Sequence, residues 1–197
     1  KHLAEHGCLM VTGGGPGAME AAHLGVWLAG RPLGDVDKAL AMLAHAPSYK
    51  DAEWLPSAFA LMERMPRVSD CFSIGVPTWF YGHEPATPFA THIAKYFDNS
   101  IREDGLLTIA KGGVVYSPGS AGTMQEIFQD AAQNHYLTCG YASPMVFLDT
   151  EYWKEKFPVY PLLESLAQKG CYKNLLLSMT DSPDDAVRDI MAFVNGK

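Results

Sequence analysis

Hydrophobic residues change their spacing several times along the chain, and each change predicts an element. Cys8-Leu9-Met10-Val11-Thr12 is a short apolar run without alternation, as in a strand buried on both faces of a parallel sheet. Residues 72–77, 92–97, 144–148 and 174–177 are further strand candidates, and Val114-Val115-Tyr116 is another. Between them the period shifts to that of helices. Ala21, Ala22, Leu24 and Leu28 mark a helix after the first strand, with Pro16 suited to a first helical position where its missing N–H is harmless. Asp98 or Ser100 caps a helix running through Ile109, and Met124, Ile127, Phe128 and Ala131 put one face of the next helix on a core. Residues 152–169 form a helix interrupted near Pro158 and Pro161, and Ser182-Pro183 starts a closing amphipathic helix over 184–194. Residues 37–69, with Trp54, Leu55, Phe59, Leu61, Met62 and Met65, read as one or two helices inserted before the second strand. Such side chains at helical spacing more often form a core layer than a pocket roof or a dimer surface.

Strands alternating with helices imply an α/β class, with a parallel sheet covered on both faces. A chain of 197 residues suits one such domain, 1–197, and is short for two. Residues 1–7 have the pattern of a helix end with a glycine stop, so a first strand and half-helix are expected upstream of this numbering.

Two strand-to-helix junctions carry the candidate chemistry. The first is Gly13-Gly14-Gly15-Pro16-Gly17-Ala18-Met19-Glu20, and the second is Ser117-Pro118-Gly119-Ser120-Ala121-Gly122-Thr123-Met124-Gln125-Glu126. Glycines let a ligand approach the backbone, and the N–H groups and dipole of a helix start favour an anion. Thr123 and Glu126 equally fit a capping box, in which each side chain satisfies a backbone N–H of the helix start. The first junction lacks the Lys-Ser/Thr ending of an NTP-hydrolysing P-loop. It does satisfy the dinucleotide pattern from Gly13 to Ala18, with Asp35 and Asp37 about 20 residues on, though no second strand carries those acids. A tight turn without a ligand remains the plain alternative. Two further features belong to the same edge. The aromatics Trp79, Phe80 and Tyr81 follow the strand at 72–77, where they would stack on a base or pack on the insert. Arg102 falls in the first turn of its helix, where it points over the carboxyl edge of the sheet or into solvent.

Composition narrows the ligand. A net charge of −7 argues against nucleic acid, because a duplex binder needs surplus Lys and Arg. Small anions remain open, since they need only local positive potential. Cys8, Cys71, Cys139 and Cys171 show no metal-ligand or CxxC spacing and read as reduced thiols, which suggests the cytoplasm. No apolar run approaches the roughly 18 residues of a membrane span, so no membrane partner is expected.

Taken together, the two motifs resemble a known family. Gly13-Gly14-Gly15-Pro16-Gly17-Ala18-Met19 is similar to the GGGxxGxM turn, and the stretch from Pro118 to Glu126 to the PGGxGTxxE turn, of the LOG-like proteins. That family was long labelled lysine decarboxylase and includes cytokinin-activating phosphoribohydrolases, nucleoside 5'-monophosphate nucleosidases and molybdenum-cofactor carriers. The resemblance covers most of the chain from about Gly7 onward, outside the insert. It implies a Rossmann-like, doubly wound parallel sheet with helices on both faces, a homodimer, and no cofactor. It also implies cleavage of the N-glycosidic bond of an AMP-like nucleoside monophosphate to free base and ribose 5-phosphate. On the family pattern Gly13, Gly14, Gly15, Gly17, Met19, Pro118, Gly119, Ser120, Gly122 and Thr123 hold phosphate and ribose. Glu126 is then the catalytic carboxylate, and Arg102 stands close to the place of the arginine of the family's RK pair. The chain departs from the pattern twice. Glu103 stands where the lysine of that pair is expected, and Ser120 where PGG has its second glycine. The first change removes a positive charge, and the second adds a side chain near the ligand.

The chemistry suits these residues. Departure of the base builds oxocarbenium character on the ribose, which a fixed carboxylate can stabilise, or oppose with an activated water. Glu126 fits either role; Glu20, Glu84, Glu103, His83 and His92 are candidates for the acid that protonates the base. No metal-ligand spacing is present. A decarboxylase is excluded because neither motif carries a lysine for a pyridoxal phosphate Schiff base. Two rivals stay open, a nucleotide carrier or sensor without turnover, favoured by Glu103 and Ser120, and a dehydrogenase binding NAD through Gly13 to Ala18.

Overall fold

A computed structural model describes residues 1–79 and 85–196. Phe80, Tyr81, His83 and Glu84 lie outside the described residues. Three short strands, β1 (Met10–Thr12), β2 (Ser73–Gly75) and β3 (His92–Ile93), pair in parallel in that order. Met10 stands opposite Ser73 and Ile74 opposite His92. A second sheet of β4 (Val114–Tyr116), β5 (Pro144–Leu148) and β6 (Leu176–Thr180) is also all parallel, with Val114 opposite Met145 and Pro144 opposite Leu176. The chain divides into two compact units, Lys1–Leu106 and Leu107–Lys197, each with its own sheet and core.

In the first unit α1 (His2–Glu5) ends ahead of Gly7, whose φ of +84° favours glycine. α2 (Ala18–Trp27) follows β1, and its N-cap is Gly17, so Pro16 precedes the helix instead of occupying its first position. α3 (Leu33–Leu43) starts behind Pro32, earlier than the insert expected from 37, and α4 is Trp54–Arg64. Leu24, Leu28, Ala39, Ala58, Leu61 and Phe89 form one buried cluster, so both inserted helices serve as a core layer. Pro32 fixes an extended φ/ψ at the entry, which lets the helix take in Asp35 and Asp37. β3 is only two residues long, both exposed, although the run from His92 to Phe97 predicts more. α5 (Asn99–Ile109) carries the boundary between the units.

In the second unit β5 is central and nearly continuous in buried apolar residues, as a strand covered on both faces must be. Phe147 on β5 meets Tyr116, Trp153 and Tyr160 at ring-centroid distances of 5.0, 5.3 and 5.3 Å. α6 (Ala121–Tyr136) buries Ile127 and Ala131 in this cluster, with Met124 and Phe128 packed at its margin. Leu137 ends the helix in the left-handed region at φ 51°, and Asn134 clips the following segment back by two bonds to the Ser143 backbone. Residues 152–169 are split as the prolines predict, into a π turn over Tyr152–Lys156 and α7 (Val159–Gln168). β6 begins two residues later than 174 and runs on through Ser178 and Met179 to Thr180. α8 (Pro183–Asn195) starts at Ser182, whose hydroxyl accepts from the Asp185 amide at 3.3 Å.

All four cysteines are free thiols. Among the described residues no helix is long and apolar enough to cross a membrane.

Candidate functional site

The first glycine turn leaves the carboxyl end of β1. Gly13 lies so close to Arg102 and Met19 that a Cβ there would stand 2.5 Å from Arg102 Nη1 and 3.0 Å from Met19 Sδ. Gly14, at φ +73°, packs against the backbone of β2's end, and a Cβ would meet Gly75, Val76 and Pro77 at 2.9 Å. No other residue fits that position. Gly15 is buried beside it, whereas Gly17 is exposed and required for its φ of +78° and not for space. The Gly14 amide donates to Thr12 Oγ1 at 2.9 Å, and Thr12 Oγ1 lies 2.8 Å from His23 Nε2. His23 is fully buried on α2, and burial pushes its imidazole down to about 4, so it is neutral near pH 7. The turn is thus braced from behind by a neutral histidine.

Arg102 is brought to this turn from α5. Its Nη2 donates to Asn99 Oδ1 at 2.7 Å and lies 2.9 Å from Glu103 Oε1. Glu103 is only 1% exposed. The acid in the place of the expected lysine is therefore a buried counter-ion to Arg102, and it lowers the positive potential the turn presents to an anion.

The second turn leaves β4. Gly119 closes on Thr123, and any Cβ there would overlap the Thr123 hydroxyl. Tyr152 fixes the turn from the π turn, its phenol donating to the Gly119 carbonyl at 2.5 Å. Ser120 is the N-cap of α6 and makes no side-chain cap bond. This corrects the capping-box alternative, because Thr123 falls three residues inside the helix and cannot cap it. Pro118, Ser120 and Gly122 are exposed, Thr123 and Glu126 half-buried, and the first backbone N–H groups of α6 have no intrahelical partner. An open helix start with a carboxylate one turn inside can hold an anion and act beside it.

Glu20 stays at the first turn, where its carboxylate takes a backbone hydrogen bond from Gly17 and accepts from Trp54 Nε1 at 3.3 Å, and burial raises its pKa. The remaining candidates are placed elsewhere. His92 is exposed on β3, and Asp35 sits on α3 in pairs with Arg31 and Lys38. Trp79 is exposed and stacked on Phe97, with Lys95 Nζ 4.0 Å above its ring. Sequence reasoning missed His23, Tyr152 and Asp130, which support the turns from within. A cavity of about 300 Å³ opens at the other end of the first sheet, between the segments that precede β1 and β2, and is lined by Cys8, Leu9, Cys71 and Phe72. Its size alone would attract notice, but ligands of open α/β sheets bind at the carboxyl ends of the strands. Among the described residues no cluster of three His, Cys, Asp or Glu side chains is arranged to hold a metal.

No protein-family model matches the chain, and no curated protein matches it.

Proposed function

We propose that this chain is a nucleotide-binding α/β protein that hydrolyses the N-glycosidic bond of an AMP-like nucleoside 5'-monophosphate to free base and ribose 5-phosphate. The observation that carries the reading is the second turn. Gly119 is closed on Thr123 and tied by Tyr152, which keeps the start of α6 open to solvent with Glu126 one turn inside. In this reading the α6 N–H groups and Thr123 take phosphate or ribose oxygens. Glu126 stabilises the positive charge that builds on the ribose as the base departs, or activates the attacking water. The first turn, with Gly13, Gly14 and Arg102, carries an anion-binding backbone and a guanidinium of its own. The same reading puts the two parallel sheets in a Rossmann-like, doubly wound architecture, and the protein in the cytoplasm as a homodimer.

A second reading is favoured by one observation, the buried Glu103 beside Arg102. An internally neutralised arginine suits a carrier or sensor that holds its nucleotide without turning it over. The NAD reading is weakened, since Asp35 and Asp37 both fall on α3 and not at the end of a second strand, and Asp35 is paired with Arg31 and Lys38.

Incubation with a panel of nucleoside monophosphates, AMP first, separates the two. Release of base and ribose 5-phosphate that disappears in Glu126→Ala with the fold retained supports the hydrolase. Binding without release supports the carrier.

A further inference from the structure

Asp130 lies on α6 one helical turn beyond Glu126, so the two carboxylates share a side of the helix. It is 3% exposed, and the Tyr116 phenol, at the end of β4, donates to Asp130 Oδ2 at 2.7 Å. Burial pushes the Asp130 carboxyl up to about 6, the Tyr116 hydrogen bond pulling the other way. The phenol is held well above its ordinary range by burial and then by the charge and hydrogen bond of Asp130, and Glu126 acts on it in the same direction. Tyr116 therefore feels both carboxylates. β4 brings Tyr116, α6 itself brings the neutral Gln133 and Asn134 beside Asp130 and Glu126 one turn before it, and the segment after α6 brings Cys139 and Tyr141. Leu107 and Ala110 bring no charge. Asp130, Gln133, Asn134, Cys139 and Tyr141, with Leu107, Ala110 and Ser143, line a cavity of about 10 Å³, room for a single water that can carry a proton.

We propose that Asp130 is a positioning residue for Glu126: the buried Tyr116–Asp130 pair gains or loses one proton, and this sets the negative charge one turn behind the catalytic carboxylate. The inference rests on the hydrolase reading above. When Asp130–COOH gives its proton to solvent, the carboxylate left behind adds to the field of Glu126 and stabilises the cationic ribose. When the proton returns, that contribution is withdrawn. Asp130 itself touches no substrate.

The test compares wild type, Asp130→Asn and Asp130→Glu, measuring AMP turnover and AMP binding from about pH 5 to about pH 8. Asparagine has the shape of the protonated acid, so wild type and Asp130→Asn agree at the acid end. Above the titration wild-type kcat/KM rises by about tenfold over that of Asp130→Asn, and Asp130→Glu restores the rise. Parallel profiles, or equal loss in Asp130→Asn at every pH, would identify a plain structural strut and overturn the inference. If folded wild type binds AMP without release, the hydrolase reading fails and the Kd ratio carries the charge test. A wild-type to Asp130→Asn Kd ratio that rises with pH then supports the charge at Asp130, and a flat ratio rejects it. A folded wild type that neither binds nor releases overturns both.

Discussion

Arg102 Nη1 occupies the place a Gly13 side chain would take, 2.5 Å from the ideal Cβ. The absence of a side chain at Gly13 is what admits the guanidinium to the turn. Gly13→Ala is expected to push Arg102 aside and to weaken AMP binding about tenfold while the helical circular dichroism is unchanged. Arg102→Lys should not rescue binding, because a single ammonium cannot reproduce the planar fork. Titration calorimetry on the two variants checks both statements.

Glu103 and Arg102 predict effects of opposite sign in one variant. Glu103→Gln removes a buried counter-ion, so the fold should lose about 3 kcal/mol while the Arg102 guanidinium, no longer neutralised by Glu103, attracts phosphate more strongly. The expected outcome is a lower urea midpoint together with tighter AMP binding. Loss of both would mean that Glu103 orders the turn and does not restrain it.

The second turn offers a sharper steric case. Gly119→Ala would place a methyl on the Thr123 hydroxyl, and the helix start must shift to relieve it. Turnover should be lost in Gly119→Ala and partly regained in the double variant Gly119→Ala with Thr123→Gly, although Thr123 itself contributes to the site. Tyr152→Phe removes only the bond to the Gly119 carbonyl and should cost about 1 kcal/mol of stability, read from denaturant midpoints.

His23 and Asp130 pull stability in opposite directions with pH. The His23 pKa is depressed to about 4 in the fold, so the unfolded chain binds the proton first as pH falls from about 6.5. Its share of stability is present at neutral pH and lost toward pH 4, up to about 3 kcal/mol. Asp130 is raised to about 6, so its share is present below the usual carboxylate range and lost as pH rises through 6. In urea melts His23→Gln should be less acid-sensitive than wild type. Asp130→Asn should gain relative to wild type above pH 6.

Elements with chemical punctuation were legible from the sequence, and those without it were not. β5 begins at a proline behind Ser143 and carries a pure apolar run, and α8 has Ser182 and Pro183 at its start, so both lie where the pattern predicts. β6 was misplaced because Ser178 and Thr180 interrupt its hydrophobic pattern, although the ladder to β5 continues through them. β3 closes after Ile93, although the parallel pairing resumes at Tyr96 opposite Thr78, and beyond it Phe97 leaves the ladder to stack on Trp79. At the candidate site Gly13, Gly14, Gly17 and Gly119 were legible, since each answers to a close approach or a positive φ, whereas Gly122 stands in open space. Asp130 and His23 were not. Their types and spacings were visible, but the burial that changes their protonation comes from neighbours distant in sequence.

The parallel registers also order the folding of the chain. β4, β5 and β6 join partners much closer in sequence than β1 and β2, where Met10 must find Ser73 across α2, α3 and α4. Closing the longer loop costs more entropy before any contact repays it, and among the described residues no hairpin is present to nucleate either sheet. Amide protection in a pulse-labelled refolding experiment should therefore reach β5 before β1. On the ribosome the order is unfavourable, for the slower half emerges first and waits with its strand edges open. Low growth temperature and a chaperone that shields those edges should raise the soluble yield.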